Sequence, residues 1–521
     1  MSRRRFPVGV QDFESIIKDG FVYIDKTEYI YDLANNYGNA IFLSRPRRFG
    51  KSLLCSTLRH YFQGHKELFK GLAIDKLEKN WTEYPVFHFD MSKCKRDDVA
   101  MVTRQLEKQI LDYEKEYNCE SPDLDSGGRL ENLIETAHKL TGNRAVLIFD
   151  EYDSPILNVI DHPEKMKEIK SLYNSFYGPV KSMGDHLRFV LLTGITKFSQ
   201  MSIFSTINNL SNISMLEKWE GLCGITAQEL EANFKDDISQ LSEKYKLTPD
   251  EMLHRLRDRY DGYHFGPGMI DVYNPFSIVN TFSSMKLDDY WFASATPSAL
   301  IKILDKYNFK LTDIENTQMS SRMFDQPFDN MGSAIAILYQ SGYLTIKDYD
   351  FDYNLYTLGI PNGEVYSGLY STLMPLYLDK SDMKNDSFIN AMMKSINADD
   401  IDSALTAVQS YLSSLPYDLG VKTELDFEAI LKVLFDCVGI KTDTEVRNAR
   451  GRCDVVMKNR NTIYVLELKI SGTATVDDAL AQIDEKNYLI PYWNDSRRKV
   501  KVGVTVDPET RTIKEWKVVN T

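Results

Sequence analysis

Asp454 is followed thirteen positions later by Glu467-Leu468-Lys469, a set of side-chain types suited to cutting a phosphodiester. Carboxylates with few other fixed ligands suit Mg²⁺, which keeps several of its waters, and a cation held this way can bridge a phosphate oxygen and the attacking water. Asp454 and Glu467 are the expected ligands. A lysine two residues from a metal carboxylate can hold that water and stabilise charge growing on the phosphate, the role expected of Lys469. The chain has the elements to bring these groups together. Residues 453–457 and 462–469 read as strands and 458–461 as a tight turn, giving a hairpin. Alternation along the second strand places Glu467 and Lys469 on one face, with Leu466 and Leu468 on the other. Glu428, on an amphipathic helix at 426–435, is a further candidate metal ligand. Gln482, on a helix at 479–483, is a candidate for orienting the substrate backbone. An isolated Glu-x-Lys on a strand is usually a solvated pair. Here it stands in an ordered series with Gly451-Arg452-Cys453-Asp454 before it and Gln482 and Tyr488 after it.

A second group lies near the other end. Residues 41–44 read as a strand, 45–52 as a loop and 53–62 as a helix, the layout of a phosphate-binding loop. Arg47, Arg48, Phe49, Gly50, Lys51, Ser52 and Leu53 would surround a nucleotide. Loop amides and the helix N-terminus would cradle the β-phosphate, Lys51 would reach the β and γ oxygens, and Ser52 would ligate Mg²⁺. Arg45 stands where the pattern G-x4-G-K-[ST] calls for glycine, so the turn entering the loop must differ. The apolar run 145–149 reads as a strand buried on both faces and ends in Asp150-Glu151. Asp150 is expected in the Mg²⁺ shell and Glu151 as the base for hydrolytic water. Residues 188–194 read as another buried strand, with Thr193 placed to sense the γ-phosphate. The plainer alternative is that Asp150-Glu151 caps a strand and Thr193 starts a turn. A strand at 85–91, together with helices at 99–116 and 130–140, separates the two motifs. An additional strand of this kind characterises ATPases with a catalytic glutamate.

The series from Gly451 to Tyr488 resembles the PD-(D/E)xK nuclease superfamily across about residues 421–521. Arg45 to Ser52, Asp150-Glu151-Tyr152-Asp153 and Leu192 to Ser199 resemble the AAA-ATPase-like family, found mainly in bacteria with a PD-(D/E)xK domain at the C-terminus. Tyr260-Asp261-Gly262-Tyr263-His264-Phe265, Tyr273 to Ser277 and Tyr290-Trp291-Phe292 look like that family's lid segment. The resemblance implies an α/β architecture: a P-loop ATPase core of the additional-strand, catalytic-glutamate type, with a helical and winged-helix lid and a C-terminal restriction-endonuclease-like domain. The expected domains are a core at 1–225, a helical lid at 226–300, a connecting winged-helix-like and helical region at 301–420, and a nuclease-like domain at 421–521. ATP and Mg²⁺ are the implied cofactors, with Mn²⁺ an alternative at the nuclease site, and DNA is the implied partner. Related ATPases place γ-phosphate contacts at subunit or domain boundaries, which implies that ATP shifts the chain toward a closed or a homo-oligomeric state.

Composition sets bounds on these readings. A chain of 521 residues with 43% hydrophobic content can bury more than one core. No apolar run approaches a membrane span and the N-terminus has no apolar signal core, so no membrane association is expected. Six scattered cysteines without C-x-x-C spacing fit reduced thiols in a cytoplasm and give no zinc motif. The net charge of −13 lies entirely in residues 1–420, because 421–521 hold 17 Lys and Arg against 16 Asp and Glu. Arg447, Arg450 and Arg452 lie just before Asp454, where a scissile strand would pass, and Arg497, Arg498, Lys499 and Lys501 form a later cluster. Ordinary solvated charges explain that later cluster equally well. Arg188 and Arg322, considered as trans-acting arginines, read better as surface residues. The expectation is ATP hydrolysis joined to metal-dependent, ATP-regulated DNA cleavage. The alternative is a nucleotide-dependent signalling or defence switch whose C-terminal domain binds nucleic acid or a partner without cutting.

Overall fold

The structure, a computed structural model, describes residues 4–94, 98–159, 162–196, 210–294, 317–324, 334–369, 388, 391–392, 394–396, 398–413, 423–437, 441–448, 450–459 and 461–521. Lys197, Phe198 and Ser199 and the side chain of Arg447 lie outside the described residues, as do Pro416-Tyr417-Asp418, which read in sequence as a break, and much of 387–415, which reads in sequence as helical. The chain divides into two compact units, one of residues 1–295 and 314–362, the other of 296–313 and 363–521.

The first unit is built on five parallel strands: β1 (Ala40–Ser44), β2 (Val86–Asp90), β3 (Ala145–Asp150), β4 (Leu187–Gly194) and β5 (Ser211–Asn212). Their spatial order is β2-β3-β4-β1-β5. β1 and β3 are buried along their whole length, as their unbroken apolar sequences require of strands covered on both faces. The strand that intervenes in sequence between the phosphate loop and the acidic strand, β2, lies at the sheet edge. The strand that intervenes in space is β4, and it carries Thr193 between the loop and Asp150. The helix Val99–Tyr117 lies where periodicity placed it, and the one expected at 130–140 starts earlier, at Ser126, because Asp125 caps it as Asp98 caps the first.

A two-stranded pair, β6 (Ile225–Thr226) and β7 (Val272–Tyr273), opens the lid. Helices Ala227–Tyr245 and Pro249–Tyr260 each begin with a capping box, from Thr226 and Glu229 and from Thr248 and Glu251. With Pro275–Ser284 they bury Leu230, Phe234, Leu256, Tyr260 and Phe282 in a separate core. The same unit holds an antiparallel sheet of β8 (Thr317–Ser320), β9 (Thr345–Asp350) and β10 (Leu355–Gly359) in the order β8-β10-β9. Ala334–Ser341 is helical and ends at Gly342, whose φ of 88° stops the helix, so β9 starts only at Thr345 although the sequence from Ser341 to Ile346 reads as one strand.

The second unit centres on β11 (Lys441–Asn448), β12 (Gly451–Lys458), β13 (Thr462–Ile470), β14 (Arg498–Asp507) and β15 (Thr512–Asn520), in chain order across one sheet. β12 and β13 form the expected antiparallel hairpin, whose turn is held by the Asn459 side chain accepting from the amides of Asn461 and Thr462. β13 and β14 are parallel, joined through the helix Val476–Glu485. Leu480 and Ile483 of that helix pack on Val456, Ile463 and Val465. This pins the helix over the strands that carry the acidic residues.

Candidate active sites

In the first unit, Gly50 caps the helix Lys51–Phe62 with φ 93°, a conformation open to glycine, so the chain turns from loop into helix with its first amides exposed. Lys51 is buried, and its Nζ donates to the carbonyls of Arg45 and Pro46 at 2.9 and 3.0 Å. The ammonium therefore bridges back across its own loop, where it would meet a phosphate cradled by the helix N-terminus. Ser52 and Leu53 follow in the first helical turn.

Arg45 answers the question its sequence position raised. Its guanidinium is buried and donates to the carbonyls of Ser44, Ser214 and Trp219 at 2.9, 2.7 and 2.9 Å, with the Phe265 ring 4.2 Å away. It serves as an internal strut that ties the loop entrance to the segment after β5. The lid motif grips the rest of the loop. Phe49 is enclosed edge-on by Tyr263 and Phe265, the Arg48 guanidinium lies 4.7 Å from the Phe276 ring, and Trp291 donates its indole N–H to the Arg47 carbonyl. These aromatic residues of the lid thus hold the loop rather than a base.

Across the sheet, Asp150 is buried and accepts from Thr193 Oγ1 at 2.8 Å. Thr193 is engaged with the acid rather than presented to a ligand. Glu151 takes φ 50°, an unusual conformation for a non-glycine residue, and burial holds its carboxyl above the ordinary range against the opposing charge of Lys51. The two motifs interlock. Asp153 accepts from the amides of Ile195 and Thr196 and from the Thr196 hydroxyl, and Tyr152 donates to the Thr196 carbonyl. A Cβ on Gly194 would lie 2.6 Å from the Tyr152 ring, so only glycine fits there. Arg188 donates to Ala34 and Asn35 within its own unit, while Arg322 is exposed.

In the second unit the hairpin brings Asp454, Glu467 and Lys469 together. Asp454 Oδ2 accepts from the Leu468 amide at 2.7 Å, and Lys469 Nζ donates to Glu467 Oε1 and the Leu468 carbonyl, both at 3.0 Å. Gln482 donates to Glu467 Oε1 and Tyr488 donates to the Arg452 carbonyl, so the residues after the hairpin position Glu467 and the strand before Asp454. Glu467 is fully buried, the Asp454 amide faces its carboxylate, and its Oε2 has no hydrogen-bond partner of ordinary geometry among the described residues. Burial first, then the charge of Asp454, pushes its pKa up to about 7. Burial alone would lower the Lys469 pKa, but Glu467, Asp454 and Glu424 together raise it. A buried carboxylate oxygen without a partner of ordinary geometry, facing a second carboxylate, fits a hard divalent cation.

Glu428 is buried on the helix Glu424–Cys437, and its charge contributes to the raised pKa of the Cys453 thiol, which burial chiefly causes. Cys453 itself packs against the Val455 and Leu466 carbonyls. Glu424, which the motif pattern did not single out, accepts from the Ile470 amide at 3.1 Å beside Lys469. Its four-residue spacing from Glu428 on one helix face was the available signal. Of the later basic cluster, Arg497 forms a double contact with Asp495, Lys499 donates to the Asp495 carbonyl and Lys501 pairs with Asp484. These charges are committed within the domain. Arg450 and Arg452 are exposed beside the hairpin.

Residues 7–204 match the family described as predicted AAA-ATPase, and residues 422–516 match the PD-(D/E)XK nuclease superfamily. A curated relative from Azotobacter chroococcum mcd 1, described as an uncharacterized protein in the vnfD 5′ region, is 28% identical over 524 residues, covering 98% of each chain. Among solved structures, the Aeropyrum pernix ORC2 protein in ADPNP–ADP complexes is similar at 11% identity, covering 64% of this chain and 87% of that one, with a TM-score of 0.25. Among the described residues no helix is long and apolar enough to cross a membrane.

Proposed function

From a chain that joins an AAA-ATPase-like domain to a PD-(D/E)XK nuclease superfamily domain, we propose an ATP-hydrolysing protein whose C-terminal domain cleaves DNA in a metal-dependent, ATP-regulated reaction. The observation that carries the nuclease reading is the buried Glu467 carboxylate, whose Oε2 has no partner of ordinary geometry among the described residues, enclosed beside Asp454 with the Lys469 ammonium 3.0 Å from the same carboxylate. A module that only bound a partner would have no use for this arrangement, whose desolvation is costly without a cation.

Asp454 and Glu467 would hold Mg²⁺ or Mn²⁺, which when bound supplies a polarised phosphate and an activated water. The Leu468 amide fixes Asp454, Gln482 fixes Glu467, and Lys469 lies where it can orient the water and offset charge on the phosphate. Arg450 and Arg452 are placed to hold the DNA backbone. In the ATPase unit, Lys51 exchanges its two loop carbonyls for phosphate oxygens. Ser52 and Asp150 would hold Mg²⁺, Thr193 keeps Asp150 in place, and Glu151 accepts the proton of the attacking water. Free thiols at Cys55, Cys94, Cys119, Cys223 and Cys453 are compatible with a reducing cytoplasm.

The test is a titration of the full chain with Mg²⁺ and Mn²⁺ on plasmid, linear and branched DNA, with and without ATP. Cleavage that needs metal, changes with ATP and vanishes in Asp454→Ala is the expected result. No cleavage of any form under any condition would instead support the switch reading.

A further inference from the structure

Beside Asp150 lie two donors of a kind that a magnesium site does not need. Cys55, from the helix after the phosphate loop, His88 of β2 and Asp150 of β3 each offer a ligand atom, all within 4.8 Å of one another. Cys55 Sγ lies 3.8 Å from Thr193 Oγ1, the same hydroxyl that donates to Asp150. The backbone of His88 is fixed by Tyr113, whose hydroxyl accepts from its amide and donates to its carbonyl. Its ring Nε2 is enclosed and has no hydrogen-bond partner among the described residues. A buried ring nitrogen left without a partner is unfavourable, and this one is directed among donors that could share a ligand with it.

We propose that Cys55, His88 and Asp150 form a binding site for a soft divalent metal, suited to Zn²⁺. A thiolate, an imidazole and a carboxylate are a tetrahedral zinc donor set, with the fourth position left to water or a phosphate oxygen, whereas Mg²⁺ selects oxygen ligands. Tetrahedral zinc brings such donors to roughly 3.5 Å of one another, so side-chain rotation must draw them in by about an ångström. Binding releases the Cys55 proton to solvent. Because Asp150 belongs to both donor sets, a soft metal would withdraw it from Thr193 and from Mg²⁺. The binding claim stands on the three donors, and only this inhibitory consequence rests on the ATPase reading.

The experiment uses the full chain, freed of metal and titrated with Co²⁺ without nucleotide. The readouts are thiolate-to-cobalt absorption in the near ultraviolet and displacement by Zn²⁺. Wild type should show the sulfur band at one equivalent. Cys55→Ser should lose the band and His88→Asn should bind Zn²⁺ at least roughly ten-fold more weakly, with circular dichroism unchanged in both. If ATP is hydrolysed, Zn²⁺ should inhibit wild type at concentrations that leave Cys55→Ser active. Absence of the band in wild type, or a band that persists in Cys55→Ser, overturns the site. A band without any ATPase activity upholds the site and counts against the ATPase reading alone.

Discussion

Each of the two candidate sites sets a lysine near buried carboxylates, yet they answer those charges differently. In the ATPase-like unit the charges at the loop are met mainly from within, Lys51 by two loop carbonyls, Asp150 by Thr193 and Arg45 by three carbonyls, although Arg45 Nε and His88 Nε2 have no partner among the described residues. In the nuclease unit Glu467 keeps a buried oxygen without a partner of ordinary geometry among the described residues and a pKa pushed up to about 7. The first site is a spring of internal contacts that a ligand must exchange, at little net cost in hydrogen bonds. The second stores an electrostatic penalty that only a cation or a proton removes. The loop is accordingly fixed by the aromatic residues packed on it, whereas the hairpin is fixed by its sheet.

The largest effect separates the two chemistries. Asp454→Ala and Lys469→Ala should each lower cleavage at least about a thousand-fold while ATP hydrolysis stays within a factor of two, because neither side chain supplies apolar burial. Parallel loss of both activities would show that the sites are not separable. Glu151→Gln should do the reverse at the other site, slowing hydrolysis about a hundred-fold with ATP still bound, since the base is lost and the phosphate grip stays. Equal steady-state rates for this variant and wild type would remove Glu151 from the mechanism.

Arg45→Gly restores the phosphate-loop pattern on paper, but three buried carbonyls lose their donor and the guanidinium leaves a void. We expect the variant to cost about 3 kcal/mol and to bind ATP more weakly, read by calorimetric unfolding and nucleotide titration. Tighter ATP binding would mean that the motif, and not the strut, governs the loop. A smaller effect concerns pH. Because the folded pKa of Glu467 is raised from 4.5 to about 7, the fold favours its neutral form. That contribution is fully present below about pH 4.5 and is lost as pH rises through about 7, amounting to about 3 kcal/mol at most. The opening free energy of β13 amides in the metal-free protein, from exchange corrected for its intrinsic pH dependence, should therefore fall between pH 5 and 8, and Mn²⁺ should flatten the trend. A flat profile without metal would mean that Glu467 is compensated by groups other than a cation.

What the residues determined by themselves was local. Unbroken apolar runs require strands covered on both faces, capping residues start helices, and period-two alternation puts Glu467 and Lys469 on one side of a strand. The hairpin and the Lys51 loop follow from such rules over spans of ten to thirty residues. Tertiary structure decided the rest, because burial and long-range hydrogen bonds have no period in sequence. It put β4 between the loop and the acid, turned Thr193 toward Asp150 and made Gln482 a support for Glu467. It also committed Arg497 and Lys501 to carboxylates of their own domain. Arg45 shows the division most plainly. As a letter it is a broken glycine, and its function as a strut exists only where Ser214, Trp219 and Phe265, some 170 to 220 positions away, come to meet it.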